Sequence, residues 1–378
     1  KRLKYAEMAE PLKGDIFGER MNVYDGALSF SITDVSLPGN NGLQVAIGRT
    51  YEAAVWDGER HFGTWELDIP SLSGVFGADA YSVGQGYWAP EKRCSTMAPP
   101  PPLTIKNVKG TYDVEFDSHQ YWDGSRLSLP GGGGGELLGN PNDARQVRPQ
   151  GFPTTWNTKE GWHFSCLEFL KSGQLGEGFL GHAPDGTKYY FDWMTMRDAG
   201  PAPSQTHGPD THAVLQRNRV FLYPSQVVDR FGNWVRYEWE GRRLLRIHSS
   251  DGRQISMQYD AADRITSVTA NGRQWTYAYD VAGQLQSVTQ PDGTAWRYQM
   301  MALHVNHKQR QNGFDPPEWY EVRMSLCARM GIIIEEERVQ TVTHPSGVVG
   351  TFRMMPFRHG RMGVRFDCQE TGDNGTME

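Results

Sequence analysis

No stretch of the 378-residue chain approaches 18 consecutive apolar residues, so a membrane-spanning helix is excluded. A surplus of positive charge is also missing. Lys plus Arg is 38 against 44 for Asp plus Glu, a formal charge of −6, and no basic stripe stands out. The electrostatic footprint of a nucleic-acid binder is therefore absent. Cysteine is scarce. Cys94, Cys166, Cys327 and Cys368 are widely scattered without a CxxC pair, which argues against a zinc ribbon or a thioredoxin-type site. Four cysteines permit two disulfides in any of three pairings in an oxidising compartment; four buried thiols are the other reading. There is no GxSxG nucleophile elbow. The chain starts at Lys1 with no visible signal peptide, and the sequence does not say whether a leader was removed.

Turn formers and aromatics are abundant. Gly (43), Pro (22) and an aromatic share of 12% favour an all-β chain of short strands. Leu28, Phe30 and Ile32 alternate with polar residues, "LPGNNG" follows, and Leu43, Val45, Ile47 and Tyr51 alternate again. That is a strand–turn–strand pattern. "APPPP" (98–102) reads as a stiff surface spacer. "PGGGGGELLGNPNDARQVRPQG" (130–151) reads as a mobile loop because five glycines are costly to order.

From Val227 onward the text acquires a beat. Tyr259-Asp260 returns as Tyr279-Asp280 after 20 residues, and Asp251-Gly252 returns as Asn271-Gly272 after 20 and as Asp292-Gly293 after a further 21. Val235, Tyr237 and Trp239 alternate, as do Ile255, Met257 and Tyr259, then Trp275, Tyr277 and Tyr279, then Trp296 and Tyr298. Twenty residues divide into two strands and two tight turns. One turn holds Asp-Gly, with Gly252, Gly272 and Gly293 accepting a positive φ. The other follows Tyr-Asp, where Asp260 or Asp280 accepts a backbone N–H two residues on. Gly283 takes the left-handed place in "YDVAGQ", and Asp263 holds it in "YDAADR". Each Tyr is expected to lay its ring on the next hairpin, its hydroxyl reaching solvent or a carbonyl. "TQPDGTAWRYQM" (289–300) aligns with "THPSGVVGTFRM" (343–354), so the repeat resumes near Val339 after an insertion.

The Tyr-Asp units, most specifically within 229–298, resemble RHS/YD-repeat proteins. Residues 24–53 look like the opening of secreted bacterial RHS-type proteins, and 344–361 look like material inside their shell region. The resemblance implies a continuous curved or spiral sheet that forms a shell around a toxin or other variable C-terminal domain. Such shells serve interbacterial competition or cell-surface contact, in a secreted or surface location. The chain is short for a closed shell and lacks the family's Asp-Pro-x-Gly-Leu boundary motif; "DPPEW" (315–319) is not that motif. The expectation is a fragment, the N-terminal part of a larger polypeptide and of a polymorphic toxin or surface protein.

The expected architecture is all-β, built of antiparallel hairpin repeats with an N-terminal β domain. Residues 1–129 form the β-rich N-terminal domain, 130–226 strands with Gly/Pro-rich loops, and 227–300 the repeats. An insertion follows at 301–338, then repeat-like strands and a tail at 339–378. The expected role is a non-catalytic scaffold without cofactor or metal. Its partners are the rest of the polypeptide and its cargo, not nucleic acid, and there is no membrane insertion. Two rivals belong to other classes. Trp234, Trp239, Trp275 and Trp296 could stack on surface glycans, although interstrand packing explains the same rings. A β-structured glycan-active enzyme would need two facing carboxylates in a cleft. His207, Asp210 and His212, and the pair His304 and His307, match no zinc spacing. "GGGGG" lacks the strand, helix and Lys-Ser/Thr of a phosphate loop. Arg242, Arg243, Arg246 and Arg253 read as a solvated face or as partners of nearby carboxylates. Limited proteolysis should cut within 98–102, 130–150 and 198–212 and leave 227–300 intact; early cuts inside 255–298 would contradict a continuous sheet.

Overall fold

The computed structural model describes residues 16–21, 28–52, 60–77, 92–107, 110–122, 124–139, 155–200, 202–203, 213–300 and 337–354. Strands dominate, as the alternation requires. The sole helix among the described residues is the single turn Ser118–Tyr121. Cys327, Cys368 and the His207, Asp210, His212, His304 and His307 candidates lie outside the described residues.

A long strand, Arg217–Val228, organises everything else. One of its edges pairs along its length with Lys188–Asp198. Its other edge is shared. Arg217–Leu222 pair with Leu72–Gly77 of the strand Ser71–Gly77, while Gln226–Val228 pair with Trp234–Arg236. Pro224 stands between the two halves, opposite a bulge at Phe191–Trp193. A residue without an N–H suits a place where one ladder ends and another begins.

From the first half, pairing runs through Ser125–Leu129 to Gly133–Glu136. The chain continues through Leu137 into Leu138–Gly139, which pair with Trp156–Asn157. His163–Leu167 and Gly178–His182 follow and return to Lys188–Asp198. The pairings therefore trace a loop that starts and ends on the junction strand. Leu72, Phe76, Leu127, Trp156, Phe164, Phe179, Phe191 and Leu222 are buried together in one cluster. Cys94 lies in this cluster and is disulfide-bonded to Cys166. At a sequence separation of 72, the cross-link removes unfolded-state freedom worth about 4 kcal/mol on the loop-closure account.

From the second half, the repeats extend as an open antiparallel wall. Trp234–Glu240, Arg243–Ser249, Gln254–Tyr259, Ile265–Ala270, Arg273–Tyr279, Leu285–Thr289 and Ala295–Gln299 pair in order. Arg338–Thr343 and Val349–Met354 continue it, so the repeat does resume after the insertion. Together these strands form one 18-stranded sheet.

The predicted N-terminal hairpin is Leu28–Leu37 paired with Val45–Glu52. Glu19–Met21 and Glu66–Leu67 complete a four-stranded sheet. Its apolar face (Phe30, Val35, Ile47, Trp65) shares a core with the inward residues of the wall: Tyr237, Ile247, Ile255, Val268, Tyr277, Val288 and Tyr298.

The pentaglycine corrects one expectation. Gly133–Glu136 are a paired strand, not a mobile loop. A Cβ on Gly134, which has φ 109°, would stand 2.1 Å from the Leu127 carbonyl oxygen. The glycines are there for close backbone approach, which offsets their ordering cost. Proteolytic cuts are accordingly not expected in 131–139. Gly134→Ala should lower stability by about 2 kcal/mol or more through strain and the lost close pairing. Urea unfolding of the two chains measures this, and an unchanged midpoint would contradict the assignment.

Candidate functional site

The repeat unit is built by one loop used again and again. At Asp260 the backbone N–H donates to the Arg264 carbonyl at 2.9 Å, and Asp263 N–H donates back to Asp260 O at 3.2 Å. Asp280 with Gln284, Asp229 with Asn233, Ser249 with Arg253 and Gln290 with Thr294 close identically. Each is a three-residue hairpin loop whose last residue is left-handed. That residue is Asp263 at φ 58° and Gly283 at φ 80°, and Gly252 and Gly293 take the same position at φ 85°. Asn271-Gly272 is different, a two-residue turn with φ 50° and 71°. Asp260 Oδ1 accepts N–H bonds from Ala262 (2.9 Å) and Arg264 (3.0 Å), and Asp280 Oδ1 accepts from Ala282 and Gln284, both at 2.9 Å. Burial pushes the Asp260 carboxyl up, but the Arg264 N–H and guanidinium outweigh it and hold the carboxyl below its ordinary value.

The tyrosines reach backward, not onto the next hairpin. Tyr259 donates to the Leu244 carbonyl and accepts from the Leu244 N–H, both at 2.9 Å. Tyr279 donates to the Ile265 carbonyl at 2.6 Å. The reason is the ladder. Pairing between these neighbouring strands begins only at Arg246↔Ser256 and at Ser267↔Thr276. The backbone groups beyond would be left open on that side, and the phenol supplies their partner. Burial pushes both phenols above their ordinary range.

Between the two sheets lies a polar cluster that pattern reading missed. Arg49 is fully buried. It donates to both carboxylate oxygens of Asp34, at 2.9 and 3.1 Å, and to the Tyr298 hydroxyl at 2.6 Å. Tyr277 donates to Asp34 at 3.0 Å. The guanidinium also sits over Trp65 (5.0 Å) and Tyr298 (4.9 Å). Burial opposes the Arg49 charge, yet the Asp34 carboxylate more than restores it. The signal was present: Arg49 occupies an inward position between Ile47 and Tyr51. Asp34 turns inward because a bulge falls between Thr33 and Val35.

Both rims of the wall hold the N-terminal sheet. At one, Arg253 donates to the Leu37 and Leu43 carbonyls and to Asn41, at 3.1, 3.0 and 3.1 Å. Arg253 and Ser249 in turn keep the Asp251 carboxyl well below its usual range. At the other, the His61 carbonyl accepts from Ile265 N–H and its ring meets the Arg242 carbonyl, both at 2.8 Å. Glu66 bonds His61 at 2.8 Å and pairs with Arg197. Burial would raise the Glu66 carboxyl, but Arg197 and His61 hold it far below the carboxylate range. The remaining arginines pair with carboxylates, Arg242 and Arg243 with Asp263 and Arg246 with Glu238.

The four tryptophans do not share an exposed face. Trp239 (8% exposed) and Trp296 (7%) are in the inter-sheet core, and Trp275 packs against it. Trp234 lies on the opposite face, with the Arg236 guanidinium over its ring at 4.2 Å. A groove of about 580 Å³ runs between Gly39–Leu43 and the turns holding Asp185 and Asp229. Both carboxylates are engaged in closing their own turns: Asp185 accepts from Thr187 N–H, and Asp229 from Phe231 and Asn233 N–H. Among the described residues no cluster of metal-ligating side chains occurs.

Fold and loops define an antiparallel β-hairpin repeat protein. The RHS Repeat family model matches residues 237–270 and 259–295, so the wall from Tyr237 to Ala295 carries RHS repeats. Comparison with curated proteins gave no match. Two solved structures are similar at 10% identity. The TcdB2-TccC3-Cdc42 crystal structure has a TM-score of 0.34 and the TcdB2-TccC3-TEV structure 0.35. The alignments cover 92% and 94% of this chain but 19% of each of those chains, so it spans about a fifth of their length.

Arg49→Ala strands Asp34 in the core and should cost about 3–5 kcal/mol. The paired replacement Arg49→Met with Asp34→Leu should cost far less. Chemical unfolding of both checks the order, and equal losses would show that the ion pair is not what matters at this position.

Proposed function

We propose that the chain is a section of a non-catalytic RHS-type shell, one wall of a container that encloses or displays a toxin or another variable domain. The observation that carries the reading is the seating of the chain's own N-terminal sheet on one face of the repeat wall. That face is already built to hold folded polypeptide, by aromatic contact in the middle and by polar clasps at both rims. The partners are further parts of a larger polypeptide, namely more wall and the cargo. The Cys94–Cys166 cross-link supports assembly in an oxidising compartment, hence a secreted or surface location. Among the described residues no helix is long and apolar enough to cross a membrane. The glycan reading is the weaker one, because it needs exposed rings and Trp239 and Trp296 serve the core.

Electron cryomicroscopy of the polypeptide purified from its source tests this. The expected map shows the wall continuing beyond Met354 and curving round an enclosed segment. A polypeptide that ends with this wall, encloses nothing and binds a glycan array through Trp234 would overturn it.

A further inference from the structure

The last described hairpin of the wall closes its loop with a different side chain. The frame is the common one. His344 N–H donates to the Val348 carbonyl and Gly347 N–H to the His344 carbonyl, both at 2.8 Å, with Gly347 at φ 88°. In the preceding hairpin the matching loop is Gln290–Thr294, where the Asp292 carboxylate accepts from Thr294 N–H at 2.9 Å. Ser346 takes the place of Asp292 and Val348 that of Thr294, so this carboxylate is gone. The acceptor is now His344. Its ring Nδ1 accepts from Ser346 N–H at 3.1 Å and meets Ser346 Oγ at 2.7 Å. It does what Asp260 and Asp280 do, each of which accepts from the N–H two residues on. Of the loops closed in this frame among the described residues, only this one begins on a group that titrates near neutral pH.

The bond to Ser346 fixes the state of the ring. A backbone N–H only donates, so Nδ1 is bare and the neutral ring carries its proton on Nε2. The imidazole is half-buried and stands roughly perpendicular to Trp296, with centroids 4.6 Å apart, and Trp296 belongs to the inter-sheet core. Among the described residues no charged side chain is set against it. Arg297 follows the inward Trp296 and so points to the opposite face of the wall. Asp292 is engaged with Thr294, and the Tyr298 hydroxyl accepts from Arg49. On the hairpin itself Arg353 pairs with Glu337 at the far end. From the N-terminal side, Phe17 and Phe30 pack on Phe352, and Glu19 accepts from Phe17 N–H. Burial is what lowers the affinity of His344 for a proton.

We propose that His344 is an acid-operated latch on this hairpin: bare Nδ1 holds the loop shut, and a proton on Nδ1 releases it. Protonation turns the nitrogen from acceptor to donor. It still reaches Ser346 Oγ, but Ser346 N–H then faces another N–H and has lost its acceptor. The new charge also lies against the Trp296 ring and away from any carboxylate. A histidine whose folded pKa is depressed contributes its full stability above about 6.5, the unfolded value, and loses it as pH falls through the folded pKa. The hairpin Arg338–Thr343 with Val349–Met354 is therefore tight at neutral pH and frays in mild acid. The loop at Asp260 stays closed over the same range, because its carboxyl lies below its ordinary value. The latch belongs to the wall itself and does not rest on the wall enclosing a cargo.

Hydrogen exchange read by mass spectrometry on the 378-residue chain tests the latch, with exchange times corrected for the intrinsic effect of pH. On going from pH 7.5 to 5.0, residues 344–352 should exchange about tenfold faster, the effect of losing one hydrogen bond on the local opening equilibrium. The preceding hairpin, 286–298, is the internal control and should not change. His344→Asp restores the carboxylate used at Asp260, and His344→Gln copies Gln290 and takes no proton. Both should remove the acid response and leave the hairpin protected at pH 5.0. Ring nitrogen NMR shifts of His344 in the unaltered chain should show Nδ1 without a proton at pH 7.5. The proposal is overturned by equal exchange of 344–352 at the two pH values, by an acid response that survives in either variant, or by a protonated Nδ1 at pH 7.5.

Discussion

A guanidinium buried between two β-sheets fixes how this molecule goes together. Arg49 comes from the N-terminal hairpin, and the hydroxyls that complete its site come from Tyr277 and Tyr298, more than two hundred residues away. Taking a charge out of water is costly unless its partners are already in position. Only one seating of the N-terminal sheet on the wall brings Asp34, Tyr277, Tyr298 and the Trp65 ring together, so the apolar faces are not free to slide. Apolar contact supplies the bulk of the attraction, and the polar cluster selects the register.

Much of the wall was legible in the sequence. Alternation at Val235, Tyr237 and Trp239, and again at Ile255 and Met257, put these side chains on one face of the strands, and the structure turns that face inward. The Tyr-Asp interval gave the hairpin spacing, and Asp260 closes its turn as an aspartate with free backbone N–H groups two residues on should. What escaped was everything that depends on a neighbour in space. The direction in which Tyr259 and Tyr279 reach is set by where the adjoining ladder stops. The pentaglycine read as disorder because composition reports the entropy of a segment and not the nearness of the Leu127 backbone. Arg49 did leave a trace, a charge on the inward beat of an apolar strand, and a stricter reading of that alternation would have demanded a buried partner. The division of one edge of Arg217–Val228 between two ladders left none, because each half is an ordinary strand by itself.

That division has mechanical weight. The junction strand belongs at once to the looped part around Phe164 and Phe179 and to the open wall. A displacement of one part reaches the other through backbone hydrogen bonds rather than through a flexible linker. Lys171, bonded to Ser225 at 2.8 Å and to Asp192 at 3.2 Å, adds a brace where the two ladders change over.

Ala295–Gln299 and Arg338–Thr343 lie side by side in register although residues 300–337 intervene. Closing a long excursion costs only slightly more entropy than closing a short one. The wall is thus indifferent to what its connections contain, and a lineage could splice new material between two adjacent strands without disturbing either. Diversity can accumulate at the rims while the pleated surface stays constant.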